Sequence, residues 1–159
     1  MKRDGIREMT FGGMTAALYI VLTCISGSMS LASGAVQIRL SEALCLLPCL
    51  TGAAIPGLAV GCLLANLLTG CAATDIVFGT LATVLGAIGT RLTRRTPKLC
   101  WIPPVVSNTL IIPFVLRSAY GITTAWPLLA LSIFAGEMIG CCGLGLLLLP
   151  FEKRVLNRM

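Results

Sequence analysis

Residues 36–68 decide the fold, and they read VQIRLSEALCLLPCLTGAAIPGLAVGCLLANLL. The stretch opens with a cation and an anion three residues apart, Arg39 and Glu42, and no further charged residue follows until Asp75. A helix needs about 20 apolar residues to cross a bilayer, and this apolar run is longer than that. The sequence therefore places Arg39 and Glu42 at the edge of a membrane-embedded bundle, where charged residues more often contact a ligand or fix a loop than fill a core.

The composition of the chain indicates an integral membrane protein. Of its 159 residues, 57% are hydrophobic and 11% are charged, whereas soluble domains carry about 25% charged residues. The apolar runs are continuous and do not alternate with polar residues, as the strands of a transmembrane barrel would. We therefore predict an all-α fold, an integral membrane bundle of about six transmembrane helices that forms one substrate-binding domain over residues 1–159.

The predicted spans cover residues 9–27, 40–51, 55–68, 75–92, 99–116 and 126–150. Pro48, Gly52 and Pro56 interrupt the second and third of them, so the second span is expected to be short or bent and to line a cavity. The segment 26–37 is rich in Ser, Gly and Ala, and we interpret it as a loop that lies over that cavity.

The net charge of +6 is concentrated at the ends of the predicted spans. Basic residues cluster near the N-terminus, in the connection 91–98 and near the C-terminus, and six spans put all three clusters on one face of the membrane. The positive-inside rule assigns that face to the cytoplasm. We therefore predict a multi-pass plasma-membrane protein with cytoplasmic termini and no nucleic-acid partner.

Glu137 is the most deeply placed ionisable residue of the predicted spans. It lies about 11 residues into the last span, close to the bilayer midplane, where an unpaired carboxylate costs several kcal/mol. Two interpretations are open: Glu137 contacts a ligand, or it forms an internal ion pair with Arg39 or Arg117.

A small set of other polar residues lies in or beside the apolar spans. Asn66 and Asn108 are either interhelical hydrogen-bonding groups or ligand contacts, and Asp75 either caps the fourth span or joins the same site. Carboxylate, amide and guanidinium groups around an apolar cavity suit a small, flat, polar heterocycle with a guanine-like edge, on which Tyr120 and Trp126 are placed to stack. The candidate ligand-binding residues are Gln37, Arg39, Glu42, Asn66, Asp75, Asn108 and Glu137.

Signatures of catalysis are missing from the sequence. It contains no GxxxxGK[ST], HExxH or GxSxG motif, so we predict no ATPase activity, no catalytic residue and no cofactor. The eight cysteines occur without any histidine and are interpreted as small buried hydrophobic residues, with a disulfide framework or metal centre as the alternative. A membrane-integral enzyme that uses Glu42, Asp75 or Glu137 as general acid or base is the alternative from another functional class.

Five segments carry a resemblance that covers nearly the whole chain. They are TAALYIVLT at 15–23, VQIRLSEAL at 36–44, IPGLAVGCLLANLLTG at 55–70, DIVFGTLAT at 75–83 and PPVVSN at 103–108. Together they resemble the QueT family, the queuosine-precursor-binding S components of energy-coupling factor (ECF) transporters.

The resemblance implies a ligand and partners that composition alone does not. The ligand would be a 7-deazaguanine such as preQ1 or queuine, captured from outside, and uptake would be driven through a membrane scaffold subunit and two cytoplasmic ATPases. The scaffold would contact small residues of the first span, where this chain has glycine in place of part of the family's AxxxA pattern: Gly12, Gly13, Ala16 and Ala17. An S component for a flavin or pyrimidine and a structural subunit without a ligand are the alternatives.

Overall fold

The structure is a computed structural model that describes residues 2–29 and 38–158. Gln37, a candidate ligand-binding residue, lies outside the described residues, as does most of the predicted loop 26–37. Within the described residues three short elements depart from α-helical geometry: a ten-residue 3₁₀ helix, Leu40–Cys49, called the 3₁₀ helix below; a single 3₁₀ turn, Pro97–Leu99; and a π-helical segment, Met138–Gly145. The α-helices are α1 (Lys2–Ser28), α2 (Ala54–Leu68), α3 (Ala73–Leu92), α4 (Ile102–Tyr120), α5 (Trp126–Glu137) and α6 (Leu146–Arg158).

The helical architecture confirms the predicted membrane bundle. Among residues 2–29 and 38–158, four helical stretches are long and apolar enough to cross a membrane, and the 3₁₀ helix and α2 are shorter apolar helices. The fifth span was predicted to end at Leu116, but α4 continues to Tyr120 because the left-handed Gly121, with φ 63°, ends it there. The last span was predicted as one segment, and the π-helical segment interrupts it between α5 and α6.

The 3₁₀ helix occupies the centre of the bundle. Every residue from Ser41 to Pro48 is buried, because α1, α2, α3, α6 and the π-helical segment all pack against this helix. The second predicted span is therefore short, as expected, and its residues from Ser41 to Pro48 face the interior of the bundle. A 3₁₀ run of ten residues is unusually long.

Hydrogen bonds from α1 fix the beginning of the 3₁₀ helix. The Leu40 amide donates to Ser26 Oγ at 2.8 Å, and Thr23 Oγ1 donates to Ser41 Oγ at 2.9 Å. Ser26 was predicted to begin a loop, but it is a buried residue of α1. These contacts satisfy backbone and hydroxyl groups that apolar surroundings would otherwise leave unpaired.

Two glycines let the π-helical segment approach the 3₁₀ helix closely. A Cβ atom at Gly140 would lie 3.1 Å from the Arg39 carbonyl oxygen, and one at Gly145 would lie 3.1 Å from that of Ala43. Both distances are shorter than ordinary van der Waals contact. Small residues at these positions therefore set the spacing between the 3₁₀ helix, which carries Glu42, and the π-helical segment, which follows Glu137.

The small-residue stripe of α1 is divided between an inner and an outer face. Gly12 and Ala16 are buried against α2, where a Cβ atom at Gly57 would lie 2.5 Å from the Gly12 carbonyl oxygen. Gly13 and Ala17 are exposed. Packing within the bundle therefore accounts for Gly12 and Ala16, while Gly13 and Ala17 remain uncovered.

We predict that Gly57→Ala destabilises the protein, because the added methyl group must push α1 and α2 apart. Overpacking of this kind costs about 1–3 kcal/mol, so the melting temperature of the detergent-purified protein should fall. Gly13→Ala is the matched control: nothing lies within 4 Å of a Cβ atom there, and alanine favours helix. Equal melting temperatures for the two variants would contradict the close α1–α2 contact.

Candidate functional site

Three polar side chains from different elements meet in the interior of the bundle. Asn108 of α4 donates from Nδ2 to Glu137 Oε1 of α5 at 2.8 Å and contacts Glu42 Oε2 of the 3₁₀ helix at 3.4 Å. All three residues are buried. Since both carboxylates contact one nitrogen, their bonded oxygens lie no more than about 6 Å apart, close enough for like charges to interact strongly.

Glu42 has partners on both carboxylate oxygens. Tyr19 Oη donates to Oε1 at 3.1 Å, and Cys45 Sγ donates to Oε2 at 2.9 Å, in addition to the Asn108 contact. Tyr19 is itself only 1% exposed. Glu42 is therefore held by α1, by its own helix and by α4, and its accepting capacity is largely used.

The two carboxylate oxygens of Glu137 differ in their hydrogen bonding. Oε1 accepts from Asn108, whereas Oε2 is buried and has no hydrogen-bond partner among the described residues. Of the two cations considered as its ion-pair partners, Arg39 lines the same cavity as Glu137, and Arg117 lies exposed near the end of α4. A buried carboxylate oxygen without a partner is costly, so this atom is a candidate acceptor for a ligand.

Two cavities adjoin at the half-buried Arg39. The inner cavity, of about 20 Å³, is lined by Arg39, Glu42, Asn108 and Glu137 among others, and it has room for about one water molecule. The outer cavity, of about 440 Å³, is lined on its polar side by Arg39 together with Thr23, Ser26, Asn66, Thr69, Asp75 and Tyr120. Its volume falls in the range of about 300–1,000 Å³ typical of small-molecule pockets.

Asp75 belongs to the wall of the outer cavity and does not cap α3. The N-cap of α3 is Ala72, without a side-chain cap, and the Asp75 carboxylate instead accepts from Tyr120 Oη at 2.9 Å. Tyr120 Oη also accepts from the Ala72 amide at 3.2 Å. The extra turn of α4 places Tyr120 opposite the start of α3, so its hydroxyl orients Asp75.

The structure brings most of the candidate site residues together. Arg39, Glu42, Asn108 and Glu137 line the inner cavity, and Arg39, Asn66, Asp75 and Tyr120 line the outer one. Trp126 begins α5, is 40% exposed and lines neither cavity. The stacking interpretation therefore remains a prediction, with Tyr120 alone in position for it.

Sequence reasoning missed several residues of the candidate site. Tyr19 and Cys45 donate to Glu42, Thr83 lines the inner cavity, and a Cβ atom at Gly79 would lie 3.2 Å from both Asn66 Nδ2 and Asp75 Oδ1. A tyrosine in the middle of an apolar span needs a hydroxyl partner, and that signal was available for Tyr19. The roles of the other three depend on which helix faces meet.

A family description, QueT transporter, matches residues 9–154, nearly the whole chain. The chain belongs to the QueT transporter family. Searches among curated proteins and among solved structures find no match.

Family membership and the apolar helices agree on the broad function. The chain is a multi-pass plasma-membrane protein and a component of a transporter, of the S-component type, with a small-molecule ligand. The outer cavity is the structural feature of this QueT-family member whose size suits such a ligand.

We predict that Asn108→Asp lowers stability, because it adds a third acidic group beside Glu42 and Glu137. Combining it with Glu137→Gln should recover part of the loss, with a coupling energy of about 0.5–3 kcal/mol in a double-mutant cycle measured by denaturant unfolding. Ser118→Asp, at an exposed position of the same helix, serves as the control and should show no coupling to Glu137→Gln. Additive effects of Asn108→Asp and Glu137→Gln would contradict the shared site.

Proposed function

We propose that this chain captures a queuosine precursor, a 7-deazaguanine such as preQ1 or queuine, from outside the cell for ATP-driven uptake through an ECF module. The observation that carries the ligand proposal is Glu137 Oε2, a buried carboxylate oxygen without a hydrogen-bond partner among the described residues. The guanine-like edge of these bases presents two neighbouring N–H donors. A carboxylate accepts such a pair with charge-assisted hydrogen bonds.

The groups around Glu137 suit the remaining parts of the base. The guanidinium of Arg39 is a donor for the ring carbonyl, and Asn66 and Asp75 line the outer cavity where a substituent of the ring would lie. Tyr120 presents an aromatic ring at the same cavity. Aromatic rings can stack on any of the bases, because every base has a π-face. The aminomethyl cation of preQ1 would pair with Asp75 in this arrangement.

The size of the two cavities implies that binding moves Arg39. The inner cavity holds about one water molecule and cannot take a fused ring, whereas the outer cavity can. Arg39 lines both, and its long side chain has several rotamers. In the proposed complex the Arg39 side chain turns toward the ring, so that the base spans both cavities and reaches Glu137.

The partner proposal rests on the exposed small residues of α1. The sequence has no nucleotide-binding motif, and the proposal assigns the energy of uptake to ATPase subunits that act through a membrane scaffold. Gly13 and Ala17 are exposed, and each lines a groove in the surface: Gly13 one of about 760 Å³ beside α2, and Ala17 one of about 630 Å³ beside α6. Small residues allow a partner helix to approach closely. We therefore assign the ridge of α1 formed by Gly13 and Ala17 to contact with the scaffold subunit.

The ligand proposal is tested by calorimetric titration of the detergent-purified protein with preQ1 and queuine, with riboflavin and thiamine as control ligands. We expect submicromolar binding of at least one deazaguanine. Glu137→Gln should weaken that binding about 10- to 100-fold, since a hydrogen bond to a charged group contributes about 1.5–3 kcal/mol. Glu8→Gln makes the same substitution at an exposed position of α1 and should leave the affinity unchanged.

Each alternative result of the titration has a distinct meaning. Absence of binding by a folded protein would overturn the ligand assignment. Loss of affinity in Asp75→Asn but not in Glu137→Gln would confine the base to the outer cavity and remove Glu137 from the site. Binding of riboflavin or thiamine in place of a deazaguanine would favour the other vitamin-type ligands.

We predict that the double variant Gly13→Leu/Ala17→Leu fails to co-purify with the scaffold and ATPase subunits while it binds the ligand normally. The bulky side chains would cover the ridge of α1 without entering either cavity of the site. Ala73→Leu, at an exposed position of α3, is the control and should assemble like the native chain. Assembly of the double variant at native yield would overturn the assignment of this ridge.

A further inference from the structure

Two thiols lie in contact at the end of the bundle opposite the outer cavity. Cys49 is the last residue of the 3₁₀ helix, and Cys100 lies between the basic connection 91–98 and α4. Their Sγ atoms are 2.9 Å apart, although 51 residues separate them in the chain. Both cysteines are free. A disulfide bond has an S–S length of about 2.03–2.05 Å, so the sulfur atoms need to approach by less than about 1 Å to form one.

The surroundings hold both thiols at this contact. Arg91 Nη1 donates to the Pro48 carbonyl oxygen at 3.3 Å, next to Cys49 in the chain. Thr90 Oγ1 donates to the Cys100 carbonyl oxygen at 2.9 Å, and Cys100 Sγ lies 3.5 Å from the Thr93 carbonyl oxygen. The backbone on each side of the thiol pair is therefore fixed by the end of α3.

Accessibility differs between the two thiols in a way that suits stepwise oxidation. Cys100 is fully buried, whereas Cys49 is partly exposed. A soluble oxidant can therefore reach Cys49. Cys100, whose Sγ atom contacts that of Cys49, can then react with the oxidised Cys49 from inside the protein. This end of the bundle carries the basic connection and is the end predicted to face the cytoplasm.

We propose that Cys49 and Cys100 form a reversible dithiol–disulfide pair that tethers the 3₁₀ helix to the basic connection. The oxidant is a small disulfide such as oxidised glutathione. Cys49, as thiolate, attacks one of its sulfur atoms and releases one glutathione thiolate, which leaves a mixed disulfide. Cys100, as thiolate, then attacks Cys49 Sγ of the mixed disulfide and releases the second glutathione thiolate. The two thiol protons go to the two glutathione thiolates, so one disulfide is reduced for each one formed.

The tether acts on the helix that carries the interior carboxylate Glu42. Glu42 lies seven residues before Cys49 on the same buried 3₁₀ helix, and α1 holds the other end of that helix through Ser26 and Thr23. A cross-link between residues 51 positions apart restricts the unfolded chain and stabilises the folded one. The oxidised protein therefore has its central helix fixed at both ends. This inference does not depend on the identity of the ligand.

Other cysteines have different neighbours and provide controls. Cys45 donates to Glu42, Cys62 accepts from Thr83 at 3.3 Å, and Cys24 is exposed on α1. Cys24→Ser therefore changes a thiol without touching the pair. Cys49→Ser and Cys100→Ser each remove one member of the pair.

The test equilibrates the purified full chain in buffers of increasing oxidised-to-reduced glutathione ratio, blocks free thiols by alkylation and maps tryptic peptides. Cleavage at Arg39, Arg91, Lys98 and Arg117 separates peptide 40–91, with Cys49, from peptide 99–117, with Cys100. We expect the two peptides as one disulfide-linked species in the native chain and in Cys24→Ser, and as separate alkylated peptides in Cys49→Ser and Cys100→Ser. A link that persists in Cys49→Ser, or full alkylation of the native chain in every buffer, would overturn the proposal.

A second measurement separates a tether from an incidental bond. Oxidation should raise the melting temperature of the native chain by several degrees and leave that of Cys100→Ser unchanged. A linked native chain with an unchanged melting temperature would show that the bond does not restrain the fold, and would overturn its role as a tether.

Discussion

Two buried carboxylates that share one amide nitrogen are the constraint on which the rest of the structure depends. Glu42 and Glu137 come from elements far apart in the chain, and Asn108 Nδ2 contacts both. In apolar surroundings two such groups are costly unless donors or a cation compensate them. The bundle supplies donors from Tyr19 and Cys45 to Glu42, whereas Glu137 Oε2 has no hydrogen-bond partner in the part of the chain that the structure describes. This difference in hydrogen bonding between the two carboxylates indicates a binding site, since Glu137 retains an oxygen that can accept from a ligand.

The 3₁₀ helix and the π-helical segment of the bundle bring these groups together. The 3₁₀ helix is too short to cross a membrane and lies at the centre of the bundle, where it carries Glu42 inside a ring of longer helices. The π-helical segment begins directly after Glu137, and π-helical turns are frequent at functional sites. Glycine at 140 and 145 removes the side chains that would keep these two elements apart. The close spacing of the two elements and their non-α-helical backbones therefore both determine where Glu42 and Glu137 lie.

The sequence predicted the helical class, the approximate spans and most of the polar residues that line the two cavities, because apolar runs and buried charges are local signals. It did not predict that α4 extends past Leu116 or that Tyr120 orients Asp75, since both depend on the left-handed Gly121 and on how two helix ends face each other. It also could not divide the stripe at 12–17 of α1 into buried and exposed halves. That division depends on the rotation of α1 about its axis against Gly57, which only the packed structure fixes.

Charge balance in the proposed complex explains why Arg39 adjoins both cavities. Two carboxylates line the inner cavity and Asp75 lines the outer one, with Arg39 common to both. The guanidinium is always charged and presents several donors, and it lines both cavities together with these acidic groups. In the proposed complex a base with its own donor edge and a cationic substituent adds positive charge beside them, and Arg39 donates to the ring carbonyl. A neutral ligand of the same shape would leave Asp75 without a cation, so charge as well as shape would decide which base the site retains.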